Sequence, residues 1–275
     1  MRARCPVLGT ELALRGAPAR VVSLVSSATE TLFAIGAGPA VVGVSPYCAR
    51  YVPGLRTPVA GEYLDADPEA IRALRPDLVL LTDGVQLPLA RRLAAAGLPA
   101  FVLPVPHSRF GILENAVALG ALAGRVGEAR ALADRLEREC AALSASAPAP
   151  RPRAYAELWF GRHARRPGGR SFVHDLLALA GLDHVFGGEA DAYASLDPAE
   201  AARRRPEWLV LFQEPEYPVD ADRLVEERGW QGLVGRRIVR STVDRGRNLI
   251  HDGPSFVETA RWLREEVCAV LSPPP

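Results

Sequence analysis

The chain has 275 residues, 48% of them hydrophobic and 24% charged, with a formal net charge of +1 at pH 7. That size and balance suit one large or two small soluble α/β domains, and the near-zero charge removes the electrostatic case for nucleic acid or an anionic membrane as partner. All 33 basic residues are arginine, a compositional bias that also excludes lysine chemistry such as a Schiff base or phosphate capture by a P-loop.

Residues 1–18 read as an N-terminal extension. It is basic at its start, but Glu11 and Arg15 interrupt any apolar signal core, so as written it carries no export signal. Arg20–Val25 reads as a first buried strand, and Ser26, Ser27 and Thr29 offer N-cap oxygens for a helix running to about Gly36. Val41–Val44 is a second strand, followed by a loop with Pro46, Tyr47, Cys48 and Tyr51.

The run from Asp67 then carries the strongest signal in the chain. Asp67-Pro68-Glu69-Ala70-Ile71-Arg72-Ala73-Leu74-Arg75-Pro76-Asp77-Leu78-Val79-Leu80-Leu81 returns without a gap as Asp197-Pro198-Ala199-Glu200-Ala201-Ala202-Arg203-Arg204-Arg205-Pro206-Glu207-Trp208-Leu209-Val210-Leu211. Each copy has an Asp N-cap, proline at the first helical position, a short helix, a proline that stops it, and an apolar strand of the kind buried on both faces of a parallel sheet. Two copies half a chain apart predict two similar lobes with a cleft, or else a duplicated scaffold without a ligand. A helix from about Gln86 to Ala96 and a strand Ala100–Val105 complete a first lobe, 19–108, of alternating strands and helices.

From Ile112 to Leu143 the apolar residues recur at steps of three or four, predicting an amphipathic helix of roughly 48 Å. It forms a linking segment, 109–149, with two helices broken near Gly124 or Gly127 as the alternative. Ser144–Pro152 has linker chemistry. A second lobe, 150–271, starts with the strand Arg153–Leu158 and ends in the helix Phe256–Leu271 before a proline-rich tail.

The four cysteines (Cys5, Cys48, Cys140, Cys268) show no metal spacing and read as free buried thiols, with Cys140 and Cys268 on apolar helix faces. The five histidines show no paired metal-ligand spacing, so no metal site is predicted; His251 is the one considered as a ligand to a metal centre carried by a bound macrocycle. Trp208 and Trp262 read as core. No apolar run is long enough to span a bilayer. No GxSxG, Walker, GxGxxG or HExxH motif exists to carry catalysis, so no catalytic residue and no enzyme activity is predicted.

Arg20–Leu32, Val42–Tyr47 and the two repeats resemble, in the right order and over nearly the whole chain, the helix-linked substrate-binding proteins of ABC importers for iron complexes and vitamin B12. Within that family the resemblance is nearest to its cobalamin binders. It implies an α/β fold of two Rossmann-like lobes with mostly parallel sheets, joined by a long helix, with the ligand in the cleft between them. It further implies no cofactor beyond the ligand itself, an ABC permease as partner, a monomeric state, and a periplasmic or extracytoplasmic location; a chain complete as written would instead be cytoplasmic.

Carried over by position, Tyr47 and Tyr63 match ligand-contacting aromatics, and Thr82-Asp83 falls where the B12 binder has a Trp. Trp159-Phe160 lies at a strand end that supplies an aromatic in the family, and Asn248–Gly253, with Asn248 and His251, aligns with a ligand-facing loop. Independently of the resemblance, open α/β sheets bind ligands beyond the carboxyl ends of their strands, and aromatic walls suit a flat macrocycle; the alternative is that some of these rings merely plug lobe surfaces. Glu69 matches a permease-docking glutamate. In the second repeat Ala199 stands at that position and Glu200 one residue on, about 100° around the helix; for both, a carboxylate near a helix N-terminus is the plain alternative.

The ligand reading is cobalamin or a related corrinoid. Haem or a siderophore–iron complex is the alternative: haem-binding relatives place an axial Tyr directly after the glycine of the loop before the first repeat, where this chain has Glu62 after Gly61 and Tyr63 one later. A cytosolic corrinoid-handling protein or enzyme is the alternative of another class.

Overall fold

The repeat explains how each half of the chain folds. The computed structural model describes residues 2–147, 149–234 and 237–271. The chain divides into two compact units, one of Met1–Pro106 with Phe110–Leu136 and one of His107–Arg109 with Glu137–Pro275.

In the first unit, strands β1 (Arg2–Arg4) and β2 (Glu11–Ala13) form an antiparallel hairpin. The expected extension is therefore folded structure: buried Cys5 anchors it, its Sγ accepting from Val102 N at 3.3 Å. The unit's sheet comprises β3 (Val21–Ser23), β4 (Val41–Val44), β5 (Leu78–Thr82) and β6 (Ala100–Leu103), all parallel in the order β4-β3-β5-β6. β5 and β6 are buried at every position, which is why they read as continuous apolar runs. The helices are α1 (Ser26–Ala34), α2 (Pro68–Ala73) and α3 (Leu87–Ala95). The expected Ser/Thr cap on α1 is absent: Val25 is the N-cap and takes no side-chain bond. The Thr29 hydroxyl turns back instead, 3.0 Å from Val25 O and 2.8 Å from Ser23 Oγ, tying the helix to the end of β3.

The expected single linking helix is two, α4 (Arg109–Leu122) and α5 (Val126–Ala145). Gly124 takes φ +68°, a left-handed conformation that ends α4 at low cost. A Cβ on Gly120 would lie 2.3 Å from that of Ala129, so the two helices meet at a point where only hydrogen fits. The apolar stripe keeps its phase across the corner: Ile112, Ala116 and Leu119 are buried on α4, and Ala129, Leu132, Leu136 and Cys140 on α5.

The second unit starts with β7 (Arg153–Phe160) and turns back at once into β8 (His163–Pro167), an antiparallel partner that the apolar pattern did not announce. It continues through α6 (Phe172–Leu179), β9 (Asp183–His184), β10 (Tyr193–Ala194), α7 (Pro198–Arg203), β11 (Trp208–Gln213), α8 (Ala221–Glu227), α9 (Gln231–Val234), β12 (Ile238–Ser241) and α10 (Phe256–Leu271). The sheet order is β10-β8-β7-β11-β12, with β9 also on β7; β7, β9, β11 and β12 are parallel, and β8 runs antiparallel to both of its neighbours, β7 and β10. The proline-rich tail beyond 271, like Pro148 of the linker, lies outside the described residues. Trp208 is core at 1% exposure. Trp262 is only half-buried, its Nε1 donating to Glu266 at 3.0 Å. Cys5, Cys48 and Cys140 are buried, and burial pushes the Cys140 thiol up to about 12; Cys268, expected on an apolar face, is exposed.

The interior also holds His184, 5% exposed, with neither ring nitrogen hydrogen-bonded among the described residues. Burial first, then His174, Arg166 and Arg204 nearby, lowers its pKa from 6.5 to about 3. The unfolded chain therefore binds a proton that the folded one refuses. Stability from this group is fully present above pH 6.5 and is lost as pH falls from 6.5 toward about 3. Urea titrations should show unfolding free energy dropping by about 1 kcal/mol between pH 6 and pH 5, and His184→Leu should flatten that step; an unchanged slope in the variant would mean that another group is responsible.

Candidate functional site

The carboxyl ends of β3, β4 and β5 place a cluster of loops on one edge of the first unit's sheet. Directly after β4, Pro46 opens a tight 3₁₀ turn over Pro46–Arg50 that lifts Tyr47 outward, 40% exposed. Its ring meets that of Tyr63 edge to face, centroids 6.2 Å apart at 84°, and the Arg50 guanidinium carbon lies 5.2 Å from its centroid. Tyr63 is half-buried, in a loop closed by Glu62 N donating to Asp65 O at 2.7 Å. Arg92 on α3 braces this loop, pairing with Asp65 and donating to Ala66 O at 2.9 Å. The guanidinium holds the Asp65 carboxyl below the usual carboxylate range.

Beneath the loop lies a residue that sequence reading missed. Gln86 is fully buried; its Oε1 accepts from Thr82 N at 2.8 Å, and its Nε2 donates to Leu24 O at 3.2 Å and to Tyr63 O. One amide thus ties the ends of two strands to the backbone of the aromatic loop. Nothing local in the sequence marks it, because two of its three partners, Leu24 and Tyr63, are far along the chain. Thr82 is buried and Asp83 caps the next turn, accepting from Gly84 N at 2.7 Å, so both serve local structure. The exposed apolar side chains here are Leu64 and Val85, 61% and 67% exposed, each adjacent in sequence to Tyr63 or Gln86.

In the second unit, Trp159 and Phe160 end β7. Consecutive strand residues point to opposite faces. Phe160 stacks on fully buried Phe212, centroids 5.8 Å apart, and extends the core. Trp159, on the face of Glu157, is half-buried and donates from Nε1 to Glu157 Oε2 at 3.1 Å. At the turn after β7, Gly161 takes φ +57° and its N–H donates to Glu214 at 2.8 Å, with exposed Tyr217 3.5 Å from where its Cβ would be.

The loop 248–253 precedes α10. Asn248 and His251 are each 4% exposed. The Asn248 Oδ1 accepts from Ile250 N at 2.9 Å and its carbonyl accepts from His251 N at 3.3 Å, so Asn248 shapes its own turn. The two docking candidates also differ. Glu69 is 75% exposed and pairs with Arg72 one turn on. Glu200 is 32% exposed and pairs with Arg204, which also holds Glu189 and lies 4.1 Å over the Phe186 ring. Among the described residues no group of three or more His, Cys, Asp or Glu could hold a metal ion.

The chain thus folds as two α/β units, each with aromatic side chains at strand carboxyl ends. The chain belongs to the periplasmic binding protein family, whose sequence model matches residues 21–234. It is 30% identical over 224 residues to cobalamin-binding proteins of two strains of Halobacterium salinarum, covering 78% of this chain and 58% of each relative. It therefore spans 58% of the length of these curated relatives. Among solved structures it is similar to a periplasmic solute-binding protein of Staphylococcus epidermidis, at 19% identity and TM-score 0.77, covering 92% of this chain and 99% of that one. It is also similar to a periplasmic haem-binding protein of Roseiflexus sp. RS-1, at 23% and 0.72, covering 90% and 98%. A third is the ABC-type Fe3+-hydroxamate transport system of Saccharomonospora viridis, at 22% and 0.74, covering 97% and 98%. At these identities the structures establish the fold.

Replacing Gln86 with Ala removes the partner of three backbone groups. It should cost about 2–3 kcal/mol of unfolding free energy and speed amide hydrogen exchange across residues 61–66. Unchanged exchange there would show that Arg92 alone holds the loop.

Proposed function

We propose that this chain is the substrate-binding component of an ABC importer and that its substrate is cobalamin or a related corrinoid. In this reading it works outside the cytoplasm as a monomer and delivers its ligand to a permease without catalysing a reaction. Family membership and the name of its Halobacterium relatives support the reading. The observation that carries it is the Tyr47–Tyr63 pair, held over the strand ends by Gln86 and flanked by exposed Leu64 and Val85. Gln86 holds the loop through the Tyr63 backbone, and the two rings above it offer apolar faces to a flat macrocycle. Trp159 offers a comparable ring in the second unit.

The decisive measurement is absorption and calorimetric titration with cyanocobalamin and with haemin. Cobalamin should bind at micromolar or better affinity and haemin more weakly, and Tyr63→Ala and Trp159→Ala should each remove about 1–3 kcal/mol. A sharp Tyr- or His-ligated haemin spectrum would transfer the assignment to haem, and no binding of any corrinoid would end it.

Permease docking falls to Glu69. Its carboxylate is exposed and, among the described residues, is held by Arg72 on its own helix, so it is able to exchange Arg72 for a partner's arginine. Glu69→Arg should weaken association with the reconstituted permease by on the order of 2–5 kcal/mol and leave ligand affinity unchanged. Glu200→Arg should act on folding stability, because it breaks the Arg204 cluster. Equal losses of ligand affinity at both positions would show that neither faces a permease.

A further inference from the structure

We infer that Glu157 and Arg228 are positioning residues that hold the Trp159 indole in its ligand-receiving orientation. The inference rests on the ligand reading given above and deepens it. Residues 157 and 159 project from the same face of β7. Glu157 is completely buried, and its carboxylate takes two kinds of donor. Arg228, at the C-terminal end of α8, is 14% exposed; its Nη1 pairs with Oε1, and its Nη2 lies 3.4 Å from Oε2. The Trp159 Nε1–H donates to that same Oε2 at 3.1 Å. The guanidinium is itself backed by the Trp230 ring, 4.9 Å from its carbon to the centroid.

A buried ion pair is a poor way to gain stability, since well-packed apolar residues of similar volume often do as well or better. What this pair adds is direction. The outer torsion of a tryptophan side chain is broad and roughly two-fold, so packing on one side leaves a half-buried indole at a strand end free to rotate. A charge-assisted N–H···O⁻ bond, roughly twice as strong as a neutral one, selects one orientation. Arg228 supplies the partner without which a fully buried carboxylate would be costly. Glu157 therefore acts on the ligand through Trp159 without touching it.

The test combines a spectroscopic signature with a double-mutant cycle. The chain has 4 Trp, giving one indole N–H signal each in a ¹⁵N correlation spectrum, and Trp159→Phe identifies the one that matters. Glu157→Gln replaces the charged acceptor with a neutral one. It should move the Trp159 signal upfield and leave those of Trp208 and Trp262 in place. In titrations with cyanocobalamin, Glu157→Gln and Trp159→Phe should each weaken binding about tenfold, near the worth of one charge-assisted hydrogen bond. The double variant should be no weaker than Trp159→Phe alone, because the two act as one unit. Arg228→Lys should keep the indole shift, showing that charge on the carboxylate matters more than guanidinium shape. An unmoved Trp159 signal, or affinity losses that multiply in the double variant, would overturn the inference. If Glu157→Gln fails to fold, Glu157→Asp keeps the charge and shortens the reach, and should still displace the signal. If the wild type binds neither cyanocobalamin nor haemin, the ligand reading fails, and the indole signal alone still decides whether Glu157 and Arg228 orient Trp159.

Discussion

The architecture depends on how each unit passes from a short helix into its central strand across four residues, 74–77 in one and 204–207 in the other. Both repeats solve this alike. The helix ends with an arginine in the left-handed region, Arg75 at φ +47° and Arg205 at φ +50°, a place usually given to glycine. The following proline has no N–H, so only one bond of the usual helix-ending pair forms: Arg75 N to Arg72 O at 2.8 Å, and Arg205 N to Ala202 O at 2.9 Å. The strain of a non-glycine residue there, about 1–3 kcal/mol, is offset by the neighbouring strand. Arg20 donates to Leu74 O at 2.8 Å, and Arg153 donates to Arg204 O at 2.7 Å. Asp77 and Glu207 complete the lock by accepting backbone N–H groups of Arg20 and Arg153, each at 3.0 Å. These paired clamps hold the amino ends of β3 and β5, and of β7 and β11, side by side, and so set the register of strands whose opposite, carboxyl ends carry the aromatic side chains.

The repeated motif made this part of the fold legible. Asp67 and Asp197 do cap their helices, each accepting a backbone N–H at 3.0 Å, from Glu69 and Glu200. The difference of one residue in what they cap matches the one-residue shift in the position of the glutamate. Other expectations failed where a local signal lost to a tertiary one. Ser26 and Ser27 look like a helix cap, yet the buried Thr29 hydroxyl is committed to β3 and the cap falls on Val25. The apolar period from Ile112 ran on through Gly124 because a helical corner that preserves the phase of the stripe leaves no trace in periodicity. The β7–β8 hairpin carries Arg162, His163, Arg165 and Arg166 and so reads as a polar loop, although Arg166 is buried against Phe186 with its guanidinium carbon 4.2 Å from the ring centroid.

Candidate site residues followed the same division. Tyr47, Tyr63 and Trp159 were legible because aromatics at strand carboxyl ends are few. Thr82 donates from its hydroxyl to Leu103 O on β6 at 3.5 Å, and Asp83 and Asn248 each accept a backbone N–H within their own turns. The residues that organise the site were illegible for a single reason. Gln86 meets Leu24 and Tyr63, and Arg228 meets Glu157, across long stretches of sequence. No window of local periodicity contains both partners of such a contact.

The two units reach a similar result by different chemistry. In the first, a neutral amide holds the backbone of an aromatic loop and leaves the tyrosine ring to find its place against a second ring. In the second, a buried carboxylate holds the aromatic ring itself. The neutral arrangement carries no desolvated charge and tolerates adjustment of the ring, since an edge-to-face contact between two tyrosines has a shallow optimum of about 0.5–1.5 kcal/mol. The ionic one is stiffer, because displacing the indole leaves a buried carboxylate short of a donor and costs about 1–3 kcal/mol or more. By this reasoning the Tyr47–Tyr63 contact of the first unit is the more adaptable of the two, and Trp159 of the second, backed by Glu157 and Arg228, the more fixed.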